Sequence, residues 1–192
     1  MLACVATLIL MTAVVAAVGL PVGCGGAAGA AGCGGLSDRD VVPMSCSRIR
    51  VTQGFGDTPW EHPHTGVDIV CPPGTPVVAV VAGTFHRRSD LTSACLYFPW
   101  LRGGYGKYAT VLSASGVEFV YAHLASYEAA DGSEVEPGTT LGFEGTTGCS
   151  TGFHLHFEVR AGGRAVNPCP YLPTWYPSAH PDAARCWAPA PP

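Results

Sequence analysis

The stretch Gly148-Cys149-Ser150-Thr151-Gly152-Phe153-His154-Leu155-His156-Phe157-Glu158-Val159 decides how the chain is read. Its Gly-rich opening reads as a turn. The alternation that follows reads as a strand, in which side chains repeat every two residues. Leu155 and Phe157 then point into an apolar layer, while His154 and His156 share the opposite face. Two imidazoles on one face suit a divalent metal in a cleft, although a His-X-His pair also occurs on solvated strand faces. Glu158 falls on that same face, where it either orients a ligand or makes a salt bridge toward solvent.

Outward from this strand, two earlier segments carry the same kind of side chain: His64-Thr65-Gly66-Val67-Asp68 and Tyr121-Ala122-His123-Leu124. A His-x-x-x-Asp, a later Tyr-Ala-His-Leu and a closing Ser-Thr-Gly-x-His-Leu-His-Phe-Glu resemble the M23 zinc peptidases of the lysostaphin and LytM type. The likeness runs from about residue 50 to about residue 172. Gly54-Phe55-Gly56, Pro73-Gly74-Thr75-Pro76-Val77, Gly104-Tyr105-Gly106, Val135-Glu136-Pro137-Gly138, Leu141-Gly142 and Asn167-Pro168 fall between the motifs in that family's order. Two departures stand out: Phe153 replaces the usual Pro before His154, and no Arg follows the Gly-Phe-Gly.

The resemblance implies an all-β fold, an antiparallel sheet with short hairpins and lipoyl-like barrel or sandwich elements. It implies that His64, Asp68 and His156 ligate Zn2+, and that His123 and His154 are catalytic. One of this pair would orient or deprotonate a metal-activated water and the other would stabilise the oxyanion, with the division left open. Three N/O donors with a fourth position left for water is the pattern of catalytic zinc, and two neutral imidazoles with a carboxylate suit that borderline-soft ion. The implied reaction is hydrolysis of peptide crosslinks or bridges in bacterial peptidoglycan.

Trp60, Tyr105 and Phe153 are candidate substrate-cleft aromatics, with core packing as the alternative for Trp60 and Tyr105. His62 is either a group behind the ligands or an exposed residue, and His86 and His180 have no supporting pattern. A different reading is a non-catalytic LytM-like module that binds cell wall or activates another hydrolase. Such modules are expected to lack one or more of the five residues, and here all five are present. A lipoyl-like structural module, suggested by Val135-Glu136-Pro137-Gly138-Thr139-Thr140-Leu141-Gly142, lacks a lysine at a hairpin tip and leaves the histidines unexplained.

Composition bounds these readings. A chain of 192 residues with 47% hydrophobic residues buries one good core, and one folded domain is expected. The net charge of -4 and a single lysine, Lys107, argue against nucleic acid, whose phosphates need clustered Lys and Arg. Six of the nine cysteines (Cys46, Cys71, Cys95, Cys149, Cys169 and Cys186) follow residue 45 without any Cys-x-x-Cys, which favours disulfides in an oxidising compartment over a thiolate metal site. The expected pairing joins Cys71 to Cys95, with Cys46, Cys149, Cys169 and Cys186 holding the termini; buried free thiols are the alternative.

Taken in order, residues 1–23 read as a signal peptide or an N-terminal membrane anchor, because the chain is apolar from Leu2 to Leu20 and its first charge is Asp38. Gly23-Cys24 also partly fits a lipoprotein processing site, with Pro21 out of pattern. Residues 24–45 form a Gly/Ala-rich linker, 46–172 the peptidase-like domain, and 173–192 a Pro-rich tail. The implied protein is exported to the cell surface or beyond, monomeric, and touches membrane only through its first segment. Strands are expected over residues 65–70, 77–81, 108–112, 117–122, 139–143 and 153–160, with a hairpin turn at Ser113-Ala114-Ser115-Gly116 and a long connection from His86 to Gly106.

Overall fold

The computed structural model describes residues 41–173 except 57, 59, 60, 62 and 97. The expected leader or anchor, Trp60, His62, His180, Cys186 and nearly all of the Pro-rich tail therefore lie outside the described residues. At the centre is β10 (Leu155–Ala161), which pairs antiparallel with both β2 (Val67–Val70) and β6 (Glu118–Ala122). Its odd-numbered residues Leu155, Phe157 and Val159 are fully buried in the core, as the alternation predicts. Phe157 packs against Phe119 and Tyr121 from β6. Fully burying an aliphatic or aromatic side chain contributes about 1.5–3 kcal/mol, so this face anchors the strand.

The larger sheet has the order β1-β2-β10-β6-β5-β4-β8, with β11 (Arg164–Val166) also on β10. Its other members are β1 (Arg50–Gln53), β4 (Gly83–Asp90), β5 (Gly106–Leu112) and β8 (Glu134–Val135). A smaller sheet, β3-β9-β7, is built from Pro76–Val78, Thr140–Phe143 and Ser126–Tyr127. Every strand pair is antiparallel. The buried Tyr121 hydroxyl, on the larger sheet, accepts the Val80 N–H just beyond β3, so its polar tip is satisfied inside the core.

The expected all-β class and each of the six expected strands are present, along with the β5–β6 turn. There Gly116 takes φ 78° and its N–H reaches the Ser113 carbonyl at 2.9 Å. Among the described residues the only helical element is a 3-10 turn at Cys169–Tyr171. Two boundaries move. The connection expected from His86 begins only after Asp90, because β4 forms seven register pairs with β5, from Thr84↔Leu112 to Asp90↔Gly106. Packing also starts before position 46: Val41, Val42 and Met44 are buried, and Met44 bridges to Val77.

The expected Cys71–Cys95 pairing is incorrect. Disulfides join Cys46 to Cys71 and Cys95 to Cys149, and Cys169 is also disulfide-bonded. Register explains the first: Arg50 lies opposite Val70, so chain preceding β1 runs beside chain following β2. Backbone contact explains the second, since the Cys149 N–H bonds the Gly104 carbonyl and draws the two loops together.

Candidate metal centre and its cleft

His156 lies opposite Asp68 across the β10–β2 pair and opposite Ala122 across the β10–β6 pair. Directly opposed residues of an antiparallel pair project to the same face, so the ladder alone sets His156 beside Asp68. His64 is brought in just before β2 by a two-bond bridge to Gly56. Gly66 makes the approach possible, because a Cβ there would stand 2.5 Å from the Phe157 carbonyl and 2.8 Å from the His156 ring.

Three donor atoms result, one from each side chain. His64 Nε2 lies 3.0 Å from His156 Nδ1 and 3.2 Å from Asp68 Oδ1, and His156 Nδ1 lies 3.0 Å from Asp68 Oδ1. Tetrahedral zinc with bonds of about 2.0–2.1 Å separates its donors by about 3.3 Å, so the triangle fits such an ion with small adjustments. The other nitrogens of both rings are committed: His64 Nδ1–H donates to the Gly54 carbonyl at 2.7 Å, and His156 Nε2 faces Glu158 Oε2 at 3.4 Å. Both rings thereby aim their remaining nitrogen at the triangle.

Two further imidazoles adjoin it. His123 directly follows β6 with φ 63°, a left-handed conformation that costs a non-glycine residue energy and that the surrounding fold must impose. Its Nδ1–H donates to the Thr147 carbonyl at 2.8 Å. His154 donates from Nδ1 to the Gly152 carbonyl at 2.9 Å, and its Nε2 lies 3.8 Å from Asp68 Oδ1. The His123 and His154 ring centroids are 4.6 Å apart. All five side chains line one cleft of about 400 Å³, walled by Thr52 and Gln53 of β1 and by Phe98, Cys149, Thr151, Gly152 and Phe153.

Charge in the cleft is strongly organised. Burial alone would raise the Asp68 carboxyl, but hydrogen bonds from His156 and His64 hold it well below the carboxylate range. Burial would likewise lower His156, yet Asp68 and Glu158 on its two nitrogens push it up to about 9. Without a metal the site thus keeps a proton where a divalent cation would sit. His123 goes the other way, down to about 3, through burial and the neighbouring His154 and His156. Its neutral, proton-accepting form is thereby favoured.

Of the candidate cleft aromatics, Phe153 lines the cleft and is 45% exposed. Tyr105 does not line it. Its hydroxyl is drawn behind His156 and donates to Glu158 Oε2 at 2.7 Å, which corrects the cleft-facing expectation. Burial and the Glu158 charge push that phenol up, so it remains a donor. Glu158 is not a solvent-facing salt-bridge residue but fully buried, and burial is outweighed by its hydrogen bonds from His156, Thr65 and Tyr105, which bring it down to about 2. His86 sits instead beside Asp131, at 3.7 Å. Thr65 and Arg160 were missed by sequence reasoning, although Arg160 continues the even-numbered face of His154, His156 and Glu158.

An antiparallel β domain that gathers a His, Asp, His donor set and two more imidazoles in an open cleft has the makings of a metallohydrolase. Residues 62–168 match the model of Peptidase family M23, and the chain belongs to that family. It is 40% identical over 134 residues to the DD-carboxypeptidase/endopeptidase Mpg of Neisseria meningitidis, a match covering 67% of this chain but 28% of that relative. It is 31% identical over 105 residues to the peptidoglycan DD-endopeptidase ShyA of Vibrio cholerae, covering 55% of this chain and 22% of that one. Among solved structures, a mutant catalytic domain of the prophage-encoded M23 protein EnpA from Enterococcus faecalis superposes with a TM-score of 0.56 at 29% identity. That match covers 67% of this chain and 95% of the other. The chain therefore spans under a third of the length of these two relatives, and nearly all of the catalytic domain.

Proposed function

We propose that this chain is an exported, zinc-dependent endopeptidase that hydrolyses peptide crosslinks of bacterial peptidoglycan. The observation that carries the proposal is the convergence of His64, Asp68 and His156, whose donor atoms lie within 4.8 Å of one another, in the cleft that also holds His123 and His154. Membership of the M23 family supports a peptidase. The names of the two relatives, both acting on DD bonds, favour a D-amino-acid crosslink over a Gly-Gly bridge as the scissile bond.

In this reading His64 Nε2, Asp68 Oδ1 and His156 Nδ1 hold the zinc. When bound, the ion supplies Lewis acidity to the scissile carbonyl and to the attacking water. His123 and His154 handle protons. Each has its Nδ1–H spent on a loop carbonyl, which leaves Nε2 to accept a proton. One of them takes the proton of the attacking water and delivers it to the departing amine, so bond cleavage and proton transfer balance without a covalent enzyme intermediate. The cleft, lined by Thr52 and Gln53 of β1 and by Phe98 and Phe153, would take the peptide.

The test uses the full chain, oxidatively folded, with zinc measured by elemental analysis and the same sample then incubated with purified peptidoglycan. About one zinc per chain and a chelator-sensitive release of new amino groups are expected, with fragment masses naming the bond. Zinc uptake without cleavage of any wall type would replace the enzyme by a wall-binding module. Well-folded protein that takes up no metal would refute the ligand set.

A further inference from the structure

Behind the donor triangle lies a second charged cluster that the proposed reaction does not touch. Glu158 is 1% exposed, and its Oε2 accepts from Thr65 Oγ1 at 2.6 Å and Tyr105 Oη at 2.7 Å while facing His156 Nε2 at 3.4 Å. Its other oxygen accepts from Arg160 Nε at 2.5 Å. Arg160 in turn reaches Tyr105 Oη at 3.1 Å and Glu118 at 3.3 Å. Glu158, Thr65, Tyr105 and Arg160 are not among the residues that line the cleft.

We infer that Glu158 is a positioning residue for the metal centre: its carboxylate takes the Nε2–H of His156, aims Nδ1 at Asp68 and His64, and so sets how tightly the centre holds its ion. The inference rests on the zinc reading above. An imidazole can ligate only through an unprotonated nitrogen, and an acceptor on the opposite nitrogen keeps the proton away from the ligating one and makes the ring a better donor. Glu158 is the one such acceptor given to His156 Nε2 among the described residues. The cluster also ties together the segments that carry the site. Thr65 lies between His64 and Asp68, while the Tyr105 carbonyl accepts the His123 N–H at 3.0 Å. One carboxylate thereby registers the ligand-bearing turn, the central strand and the segment before β5 whose carbonyl holds the His123 backbone.

Stability alone does not account for the arrangement. A buried ion pair gains little over well-packed apolar groups of the same size, because desolvation consumes most of its attraction. Neither does it resemble a surface bridge, since Glu158 has both oxygens engaged and shut off from solvent. What the carboxylate does uniquely is present a negative charge to the far side of a ligating ring.

The experiment measures zinc affinity by chelator competition on full-length, disulfide-intact protein for the wild type, Glu158→Gln, Glu158→Asp, and Glu158→Gln combined with Arg160→Leu. Nitrogen-15 shifts of the His156 ring are recorded alongside. Glu158→Gln should bind zinc about 10–100-fold more weakly. The double variant, which also removes the guanidinium that has lost its Glu158 partner, should regain melting temperature but not affinity. Glu158→Asp keeps the charge and the Arg160 pair but withdraws the oxygen by one methylene, and should weaken zinc several-fold. It carries the test should Glu158→Gln fail to fold. In the zinc-loaded wild type the ring shifts should place the proton on Nε2. Wild-type affinity in Glu158→Gln or Glu158→Asp, or recovered affinity in the double variant, would overturn the inference while leaving the zinc site standing. A wild type that takes up no zinc would overturn both.

Discussion

The three donor residues and the two flanking histidines sit within a few ångströms of one another on very different backbones. Asp68 and His156 are ladder residues paired across β2 and β10, and both nitrogens of His64 and His156 are engaged. His123 and His154 lie just outside the strands instead, one directly after β6 and the other directly before β10, where it bridges to Gly145. One holds a left-handed backbone, and the other follows the 148–152 loop that the Cys95–Cys149 disulfide ties down. A ladder fixes Cα positions, which suits ligands that share one ion; chain just outside it tolerates adjustment, which suits groups that exchange protons with a moving substrate. Binding and proton handling should therefore be separable by mutation.

The largest break in that division is Asp68→Ala. It removes the only carboxylate of the triangle, and is expected to abolish zinc uptake and lower turnover by more than about 10³-fold, read by elemental analysis and amine release. Sharper is His123→Ala. Zinc content should stay at wild-type level while kcat falls about 10²–10⁴-fold, and the melting temperature should hold, because no ligand is lost. Zinc loss in this variant would show that the two sets are not independent.

Next in size is the loop that carries the second set. Cys95→Ser with Cys149→Ser opens a loop of sequence separation 54 and should cost about 4 kcal/mol of stability by chain entropy. Zinc affinity should stay within about twofold, while kcat drops, since the disulfide steadies residues 149–153 and not the ladder. Denaturant melts and chelator competition separate the two effects.

The smallest effect is on protons. His156 is raised to about 9 when metal-free, so at pH 7 a bound proton must leave for zinc to enter. The sign follows: affinity should fall about tenfold per pH unit as pH drops below about 9, and level off above it. Calorimetry in buffers of different ionisation enthalpy should count about one proton released at pH 7 and none well above 9.

Some of this was readable from residue order. Alternation in Leu155, His156, Phe157, Glu158 and Val159 assigned each to its face, because strand geometry has a period of two whatever the partner. The same alternation placed Arg160, had it been followed two residues further. By contrast, β7, β8 and β11 are two or three residues long and too short to show a period. β4 carries Arg87, Arg88 and Ser89 at exposed positions, and becomes a strand through its ladder with β5.

What the sequence by itself determined was the strand class, the motif residues and their faces, since local periodicity and side-chain chemistry travel with the chain. Only the tertiary structure decided the disulfide partners, the retreat of Tyr105 behind His156, the burial of Glu158 and the left-handed backbone of His123. These depend on which segments a register brings side by side: Arg50 opposite Val70 sets Cys46 near Cys71, and His156 opposite Asp68 closes a triangle with a residue 92 positions away. No local pattern encodes such a distance, because the free energy that selects it comes from burying β10 between β2 and β6.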